Sequence, residues 1–146
     1  MTSSRKYPQN PIVGVGAVVL RGEKILLVKR GNEPFKGEWS IPGGKQKVSE
    51  TVVEAVKREI YEETGIRIKK LKFLDVVDII LNDDEGKTTF HYTIIDFKAQ
   101  WLSGKCRPGG DSELVRWFKL DQIDHLNLLE KTKEIIYKAV SKNKKK

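Results

Sequence analysis

The sequence predicts a single domain of the α/β (α+β) class. The apolar pattern gives the element order strand, strand, helix, strands, helix. A chain of 146 residues is long enough to form one domain with a sizeable core. Hydrophobic residues at 38% and charged residues at 33% are typical of a polar, globular protein.

Two apolar segments near the N-terminus predict neighbouring strands. Residues 12–20 are rich in β-branched side chains, and residues 25–28 repeat that character after a polar turn. Arg30 follows the second strand, either as a solvated strand end or as a contact for phosphate. Residues 31–37 form a loop by their glycine, proline and asparagine content.

The central helix is predicted from signals at both of its ends. Thr51 and Glu54 have the spacing of a capping box, so we expect the helix to start near Thr51. Gly65 ends it, because glycine adopts the left-handed conformation at little steric cost. The predicted buried side of this helix consists of Val53, Val56 and Ile60.

The second half of the chain predicts a hairpin, a further strand and a final helix. Residues 68–80 and 88–99 read as two strands, joined by a polar turn that ends in glycine. Residues 113–120 predict another short strand. Residues 128–140 have helical spacing of their apolar side chains.

Three glutamates stand together on the central helix. Glu59, Glu62 and Glu63 have the i, i+3, i+4 spacing that brings side chains to one face. Like charges at that spacing destabilise a helix by about 0.2–0.5 kcal/mol per pair. A hard divalent cation would relieve the repulsion, since Mg²⁺ and Mn²⁺ prefer oxygen ligands. The alternative is a solvated acidic face.

The pattern of residues from 44 to 66 favours the cation-binding interpretation of the three glutamates over a solvated acidic face. Its fixed residues are Gly44, Glu50, Arg58-Glu59-Ile60, Glu62-Glu63 and Gly65-Ile66. This pattern resembles the Nudix box of the Nudix hydrolase family at every position. The resemblance implies a mixed β-sheet sandwiched between helices. It also implies hydrolysis of a nucleoside diphosphate linked to a group X, with water attacking one pyrophosphate phosphorus.

The resemblance also implies roles for individual residues of the box. The implied catalytic set is Glu50, Arg58, Glu59, Glu62 and Glu63. The implied ligands of Mg²⁺, or of Mn²⁺ in its place, are Glu59, Glu62, Glu63 and a backbone carbonyl at Gly44. Arg58 is suited to orient the helix carboxylates, because its planar fork can pair with Glu50. Glu50 either contacts a metal or only pairs with Arg58.

The general base and the substrate-binding residues stay open. Members of the family use either a glutamate of the box or an acid from a loop beyond the hairpin, and the loop candidates are Asp111 and Glu113. The candidates for substrate binding are Arg30, Phe35 and Trp39, which offer a cation for phosphate and aromatic rings for a nucleobase.

Two substrate classes are compatible with the resemblance: ADP-ribose-type compounds and nucleoside triphosphates, including oxidised ones. ADP-ribose hydrolases of the family often carry a proline about sixteen residues beyond the box, where this chain has Leu81. The alternatives from other classes are a non-catalytic nucleotide-sensing module and an RNA-associated module. The complete set of box carboxylates favours an enzyme.

The net charge of +8 is concentrated at the two ends of the chain. Arg5, Lys6, Lys142 and the run 144–146 carry six of the positive charges, which leaves +2 for residues 7–141. We therefore expect a flexible tail at 1–10, the Nudix domain at 11–141 and a basic tail at 142–146. Charge placed mainly in tails argues against a nucleic-acid partner.

The sequence shows neither a membrane span nor a signal peptide, which bears on its localisation. No apolar run approaches the length of a membrane span, and the first ten residues hold no apolar signal core. We expect a cytoplasmic enzyme with a small nucleotide as its partner and no membrane contact. Members of the family are often dimers, so the resemblance leaves a homodimer open.

Overall fold

Strands supply most of the regular structure in residues 6–141, the part of the chain that the computed structural model describes. The elements in chain order are β1 (Ile12–Arg21), β2 (Lys24–Arg30), β3 (Trp39–Ser40), β4 (Gly43–Lys45), α1 (Val52–Thr64), β5 (Arg67–Asn82), β6 (Thr88–Ser103), β7 (Ser112–Lys119) and α2 (Glu130–Val140). A 3₁₀ turn at Leu120–His125 connects β7 to the segment before α2.

The seven strands form one mixed sheet. Its central order is β3-β2-β1-β6-β5, with β4 paired to β1 and β7 paired to β2. Strands β1 and β6 run parallel, and the other described pairs are antiparallel. The predicted fold class, a mixed sheet with helices, is confirmed.

Alternation along the central strands explains why the sheet has a helix on each side. The side chains of Val15, Ala17 and Val19 in β1 belong to the core beneath α1. Val18 points the opposite way and joins the core beneath α2. Strands buried on both faces need continuous apolar runs, which is why β1 and β2 read as unbroken apolar segments.

Helix α1 begins and ends where its local signals predict. The Thr51 hydroxyl accepts a hydrogen bond from the Glu54 amide at 3.0 Å, and the Glu54 carboxylate accepts one from the Thr51 amide at 2.9 Å. Gly65 follows the helix with a φ of 76°. The prediction for Val53 is wrong: its side chain is 40% exposed, because the helix turns Ala55, Val56 and Ile60 toward the sheet instead.

The hairpin of β5 and β6 is longer than predicted but has the predicted turn, with Gly86 at a φ of 83°. Tyr7 contacts this hairpin: its amide donates to the Thr89 carbonyl at 2.8 Å and its hydroxyl to Asp83 at 2.9 Å. Of the predicted tails, residues 1–5 and 142–146 lie outside the described residues. Within residues 6–141, neither helix is long and apolar enough to cross a bilayer.

Candidate active site

A cleft of about 370 Å³ runs from the C-terminal half of α1 across one face of the sheet to α2. One end is lined by the three glutamates of α1 and by the backbone of Gly43 and Gly44 in β4. The other end is lined by side chains of β5 and β6 and by the first turns of α2. A cleft that is acidic at one end and mostly apolar elsewhere suits an elongated ligand with one charged part.

Gly44 allows α1 to approach β4 closely. A Cβ atom at this position would lie 2.2 Å from the carboxylate of Glu59, a distance that real side chains do not reach. The glycine of the box therefore leaves room for the Glu59 carboxylate against the strand backbone.

Glu63 is tied to the neighbouring glycine and is deeply buried. Its Oε1 accepts a hydrogen bond from the Gly43 amide at 2.9 Å. Burial raises the pKa of Glu63 to about 7, against the lowering effect of that hydrogen bond. Burial also raises the pKa of Glu59, although Arg58 works in the opposite direction. Both carboxylates thus lie where a negative charge is poorly solvated.

Arg58 connects the acidic side chains of the box to one another. Its guanidinium donates to Glu50 at 2.5 and 2.9 Å, to Glu59 at 3.0 Å and to Glu62 at 3.1 Å. A further bond reaches the Lys45 carbonyl at 3.0 Å. This hydrogen bonding lowers the pKa of Glu50 to about 2 and raises that of Arg58. Arg58 therefore fixes the positions of three carboxylates with one planar group.

The donor set fits a hard divalent cation, although the side chains do not yet converge on one point. Within residues 6–141, no three acidic, histidine or cysteine side chains form a closed ligand set. Glu59 and Glu62 accept hydrogen bonds from Arg58, and Glu63 accepts one from the Gly43 amide. Three carboxylates on one helix face, two of them desolvated, are nonetheless the oxygen donors that Mg²⁺ and Mn²⁺ prefer.

The structure separates the two loop candidates for a general base. Asp111 lines the cleft, and its charge contributes to the raised pKa of Glu63. Its backbone carbonyl accepts a hydrogen bond from the Gly31 amide at 3.0 Å, which fixes the loop beside β2. Glu113 is exposed on β7 and is not part of the cleft lining.

Of the three candidates for substrate binding, two line the cleft and one does not. Arg30 and Phe35 both line the cleft. The Arg30 guanidinium donates to the carbonyls of Pro34 at 2.7 Å and Asn32 at 3.4 Å, and its charge acts on Glu63. Trp39 is not among the residues that line the cleft; its ring packs edge to face on Phe118 with centroids 5.0 Å apart, in the core beneath α2.

Sequence reasoning missed one acidic residue of the cleft, Asp96 in β6. It is buried in the described structure and lines the cleft. The available signal was an acid within the otherwise apolar run of this strand, TIIDF. A second missed feature was the i, i+4 spacing of Arg58 and Glu62, which gives one glutamate of the acidic face an opposite charge.

Comparison with known proteins shows the class to which this fold and its carboxylate-lined cleft belong, the hydrolases that act on phosphoric anhydride bonds. The NUDIX domain model matches residues 10–140. The chain therefore belongs to the Nudix hydrolase family, and the resemblance found in the sequence is confirmed. Members of this family generally use divalent metals.

Three relatives illustrate the range of the family around this chain. An ADP-ribose pyrophosphatase of Methanocaldococcus jannaschii is 38% identical over 117 residues, which is 80% of this chain and 67% of the relative. The crystal structure of a MutT NUDIX hydrolase from Burkholderia pseudomallei has a TM-score of 0.77 at 35% identity, covering 89% of this chain and 98% of the other. A bifunctional NMN adenylyltransferase/ADP ribose pyrophosphatase from Francisella tularensis, complexed with AMP and a Mn ion, has a TM-score of 0.64 at 30% identity over 87% of this chain and 40% of the other.

Proposed function

We propose that this enzyme hydrolyses the pyrophosphate of a nucleoside diphosphate linked to a second group, with ADP-ribose-type compounds as the first substrate class. The observation that carries the proposal is the pair of desolvated carboxylates, Glu59 and Glu63, held against the glycine backbone of β4 at one end of an elongated cleft. The 38% identity to a protein named an ADP-ribose pyrophosphatase supports the choice of substrate class.

Nucleoside triphosphates, including oxidised ones, are the second candidate class. The likeness to a structure named a MutT NUDIX hydrolase supports it. Leu81 stands where ADP-ribose hydrolases of the family often carry proline, which also weighs toward this class. The two classes differ in their products, so one chromatographic assay separates them.

The proposed cofactor is Mg²⁺, with Mn²⁺ as a substitute, held by Glu59, Glu62, Glu63 and the Gly44 carbonyl. When bound, a divalent ion would neutralise phosphate oxygens and make a bound water more acidic. Arg58 orients Glu59 and Glu62 for this task, and its pairing with Glu50 keeps the arginine in place. The proton of the attacking water passes to a glutamate of the box or to Asp111, which lines the same cleft.

The test of the proposed function is a substrate panel assayed with and without Mg²⁺. It comprises ADP-ribose, canonical and oxidised deoxynucleoside triphosphates, dinucleoside polyphosphates and capped RNA. We expect Mg²⁺-dependent conversion of ADP-ribose to AMP and ribose 5-phosphate. Turnover of the triphosphates to monophosphate and pyrophosphate alone would move the assignment to the second class. No hydrolysis of any member of the panel would refute the proposed activity.

The Glu63→Gln substitution tests the role of the acidic face. It keeps the size of the side chain but removes the charge, so we expect the Mg²⁺-dependent kcat to fall by at least about 10²-fold while the fold is kept. Circular dichroism and the melting temperature check the fold. Glu134→Gln, at an exposed position of α2, is the matched control and should keep its turnover. Near-normal turnover by the Glu63 variant would exclude the assigned role.

The remaining expectations stay proposals of the same kind. We propose a cytoplasmic location. Whether the protein forms a homodimer is tested by measuring its mass in solution by analytical ultracentrifugation. An RNA-associated role depends on the basic tail at 142–146, whose placement is outside the described residues. Removing that tail should weaken any RNA binding without changing nucleotide hydrolysis if the association is incidental.

A further inference from the structure

Asp96 is a buried acid for which the fold provides no partner. Its side chain is 4% exposed, and its Oδ1 atom has no hydrogen-bond partner within residues 6–141. A buried carboxyl oxygen that makes no hydrogen bond is costly, so such a group is kept where a ligand can complete it. Asp96 lines the cleft, so a ligand bound there lies beside its side chain.

A glycine keeps the space in front of this carboxyl group open. Gly16 lies directly beside Asp96 in the parallel pairing of β1 and β6. A Cβ atom at Gly16 would lie 2.7 Å from Asp96 Oδ1 and 3.4 Å from Ile41 Cδ1. A side chain at position 16 would therefore displace the Asp96 carboxyl group, and its Cβ atom would also lie 3.3 Å from the Pro42 carbonyl. Glycine at this position leaves the Asp96 side chain its place in the cleft.

The distance from the glutamates to Asp96 suits a nucleoside. Gly16 pairs with Asp96 on one side and with Gly43 on the other. Two strand spacings of about 4.8 Å put the Cα atoms of Gly43 and Asp96 roughly 10 Å apart. The Gly43 amide binds Glu63 at the end proposed for pyrophosphate. A ligand with its phosphates at Glu63 would therefore have its nucleoside over Gly16, toward Asp96.

The walls around Asp96 are those of a site for a flat ring. Strands β5 and β6 contribute Val77, Ile79 and Ile94, and Ile41 and Ile135 come from the segment before β4 and from α2. These side chains are apolar, and the polar groups that line the cleft beside them are Asp96, Tyr92, Lys131 and Thr132. Heteroaromatic bases are commonly bound between apolar surfaces, with a few polar groups that select one base over another.

We propose that Asp96 selects the nucleobase of the substrate by accepting a hydrogen bond from the exocyclic amino group of adenine. The proposal rests on the proposed function and deepens it, because it assigns the base end of the same cleft. Adenine follows from the substrate class proposed above.

The protonation state of Asp96 is compatible with this role. Burial, together with the charge of Asp75 on the neighbouring strand, raises the pKa of Asp96 to about 7. A neutral carboxyl group carries one donor and one acceptor, and the amino edge of adenine also presents one donor beside one acceptor. The ionised form still accepts from the amino group.

The test compares two ligands that differ only in the amino group. The affinities of AMP and of purine riboside 5′-monophosphate are measured by calorimetry in the presence of Mg²⁺; neither ligand contains a pyrophosphate to hydrolyse. We expect the wild-type protein to bind AMP about tenfold more tightly. Equal affinities of the wild-type protein for the two ligands, or no measurable binding of AMP, would by themselves overturn the proposal.

Two variants then assign the preference to Asp96. Asp96→Leu removes the acceptor and should bind the two ligands equally, whereas Asp96→Asn keeps an acceptor oxygen and should keep part of the preference. Asp78→Asn, at an exposed acid of β5 outside the cleft lining, is the control and should behave as wild type. An unchanged preference for AMP in Asp96→Leu would overturn the assignment. Loss of hydrolysis across the substrate panel, with the AMP preference intact, would refute the proposed activity but not this inference.

Discussion

Arg58 shows at the scale of a single residue why the box needs arginine. One guanidinium reaches Glu50, Glu59 and Glu62 and also a backbone carbonyl. A lysine ammonium is a point charge and could not satisfy four acceptors in this fixed arrangement. The sequence suggested the pairing with Glu50, and the spacing to Glu62 was readable from the sequence as well.

Asp96 gives a prediction about stability and pH at the same scale. Its pKa is raised from 3.8 to about 7 in the folded protein, so the unfolded chain loses this proton at a lower pH than the folded chain does. The protonated carboxyl group of Asp96 therefore favours the folded state at low pH. That contribution is lost as the pH rises from 3.8 to about 7, between the two pKa values. Asn at position 96 cannot ionise. As the pH rises from 5 to 8, we therefore expect the unfolding free energy of Asp96→Asn to increase relative to that of the wild-type protein.

The expected size of that gain is about 2 kcal/mol, since one pKa unit corresponds to about 1.4 kcal/mol. Urea unfolding of both proteins at pH 5 and pH 8 measures it. A difference in unfolding free energy between the two proteins that stays constant over this range would show that the carboxyl group is not desolvated as described.

At the scale of elements, β4 and α1 act as one unit because the Glu59 carboxylate of α1 packs directly against the backbone of Gly44 in β4. The Gly44→Ala substitution puts a Cβ atom into the Glu59 carboxylate, so either this side chain or β4 must move. We expect kcat/KM to fall by about 10²-fold, because displacements of about 1 Å in a catalytic group have effects of that size.

Gly22→Ala is the matched control for that substitution. Gly22 has a φ of 60° in the turn between β1 and β2, and nothing lies within 4 Å of its added Cβ. This variant should lose some stability through backbone strain and keep its kcat/KM. If both alanine variants keep wild-type activity, the close approach at Gly44 has no catalytic role.

The same scale explains which elements could be predicted. The limits of α1 depend on Thr51, Glu54 and Gly65, which act on the backbone within one turn, and the structure confirms them. The start of α2 has no such signal: Leu129 precedes the helix without a side-chain cap, and the predicted start at residue 128 was two residues early. The exposure of Val53 was missed because it depends on how α1 is rotated against the sheet.

The whole molecule determines what the sequence could not indicate about the site. The acidic face is local to one helix, so its residues were found from their spacing alone. The partnership of Gly16 with Asp96 joins strands that lie 80 residues apart, and it follows only from the register of β1 and β6. The packing of Trp39 against Phe118, rather than in the cleft, likewise depends on contacts between distant parts of the chain.

The sheet thus joins the two ends of the proposed nucleotide site, and a different helix completes each end. Helix α1 supplies the carboxylates at one end, and α2 closes the apolar part at the other. The proposed hydrolysis depends on the carboxylates of α1 binding the cation that accompanies pyrophosphate. The assignment of Asp96 is tested separately, by the binding of AMP.

The most direct measurement is anomalous diffraction from crystals soaked in Mn²⁺ together with a non-hydrolysable nucleoside diphosphate analogue. We predict an anomalous peak within about 2–2.5 Å of carboxylate oxygens of Glu59 and Glu63, beside the backbone of Gly44. A structure with the analogue bound, these carboxylates directed into solvent and no Mn²⁺ beside Gly44 would contradict the account.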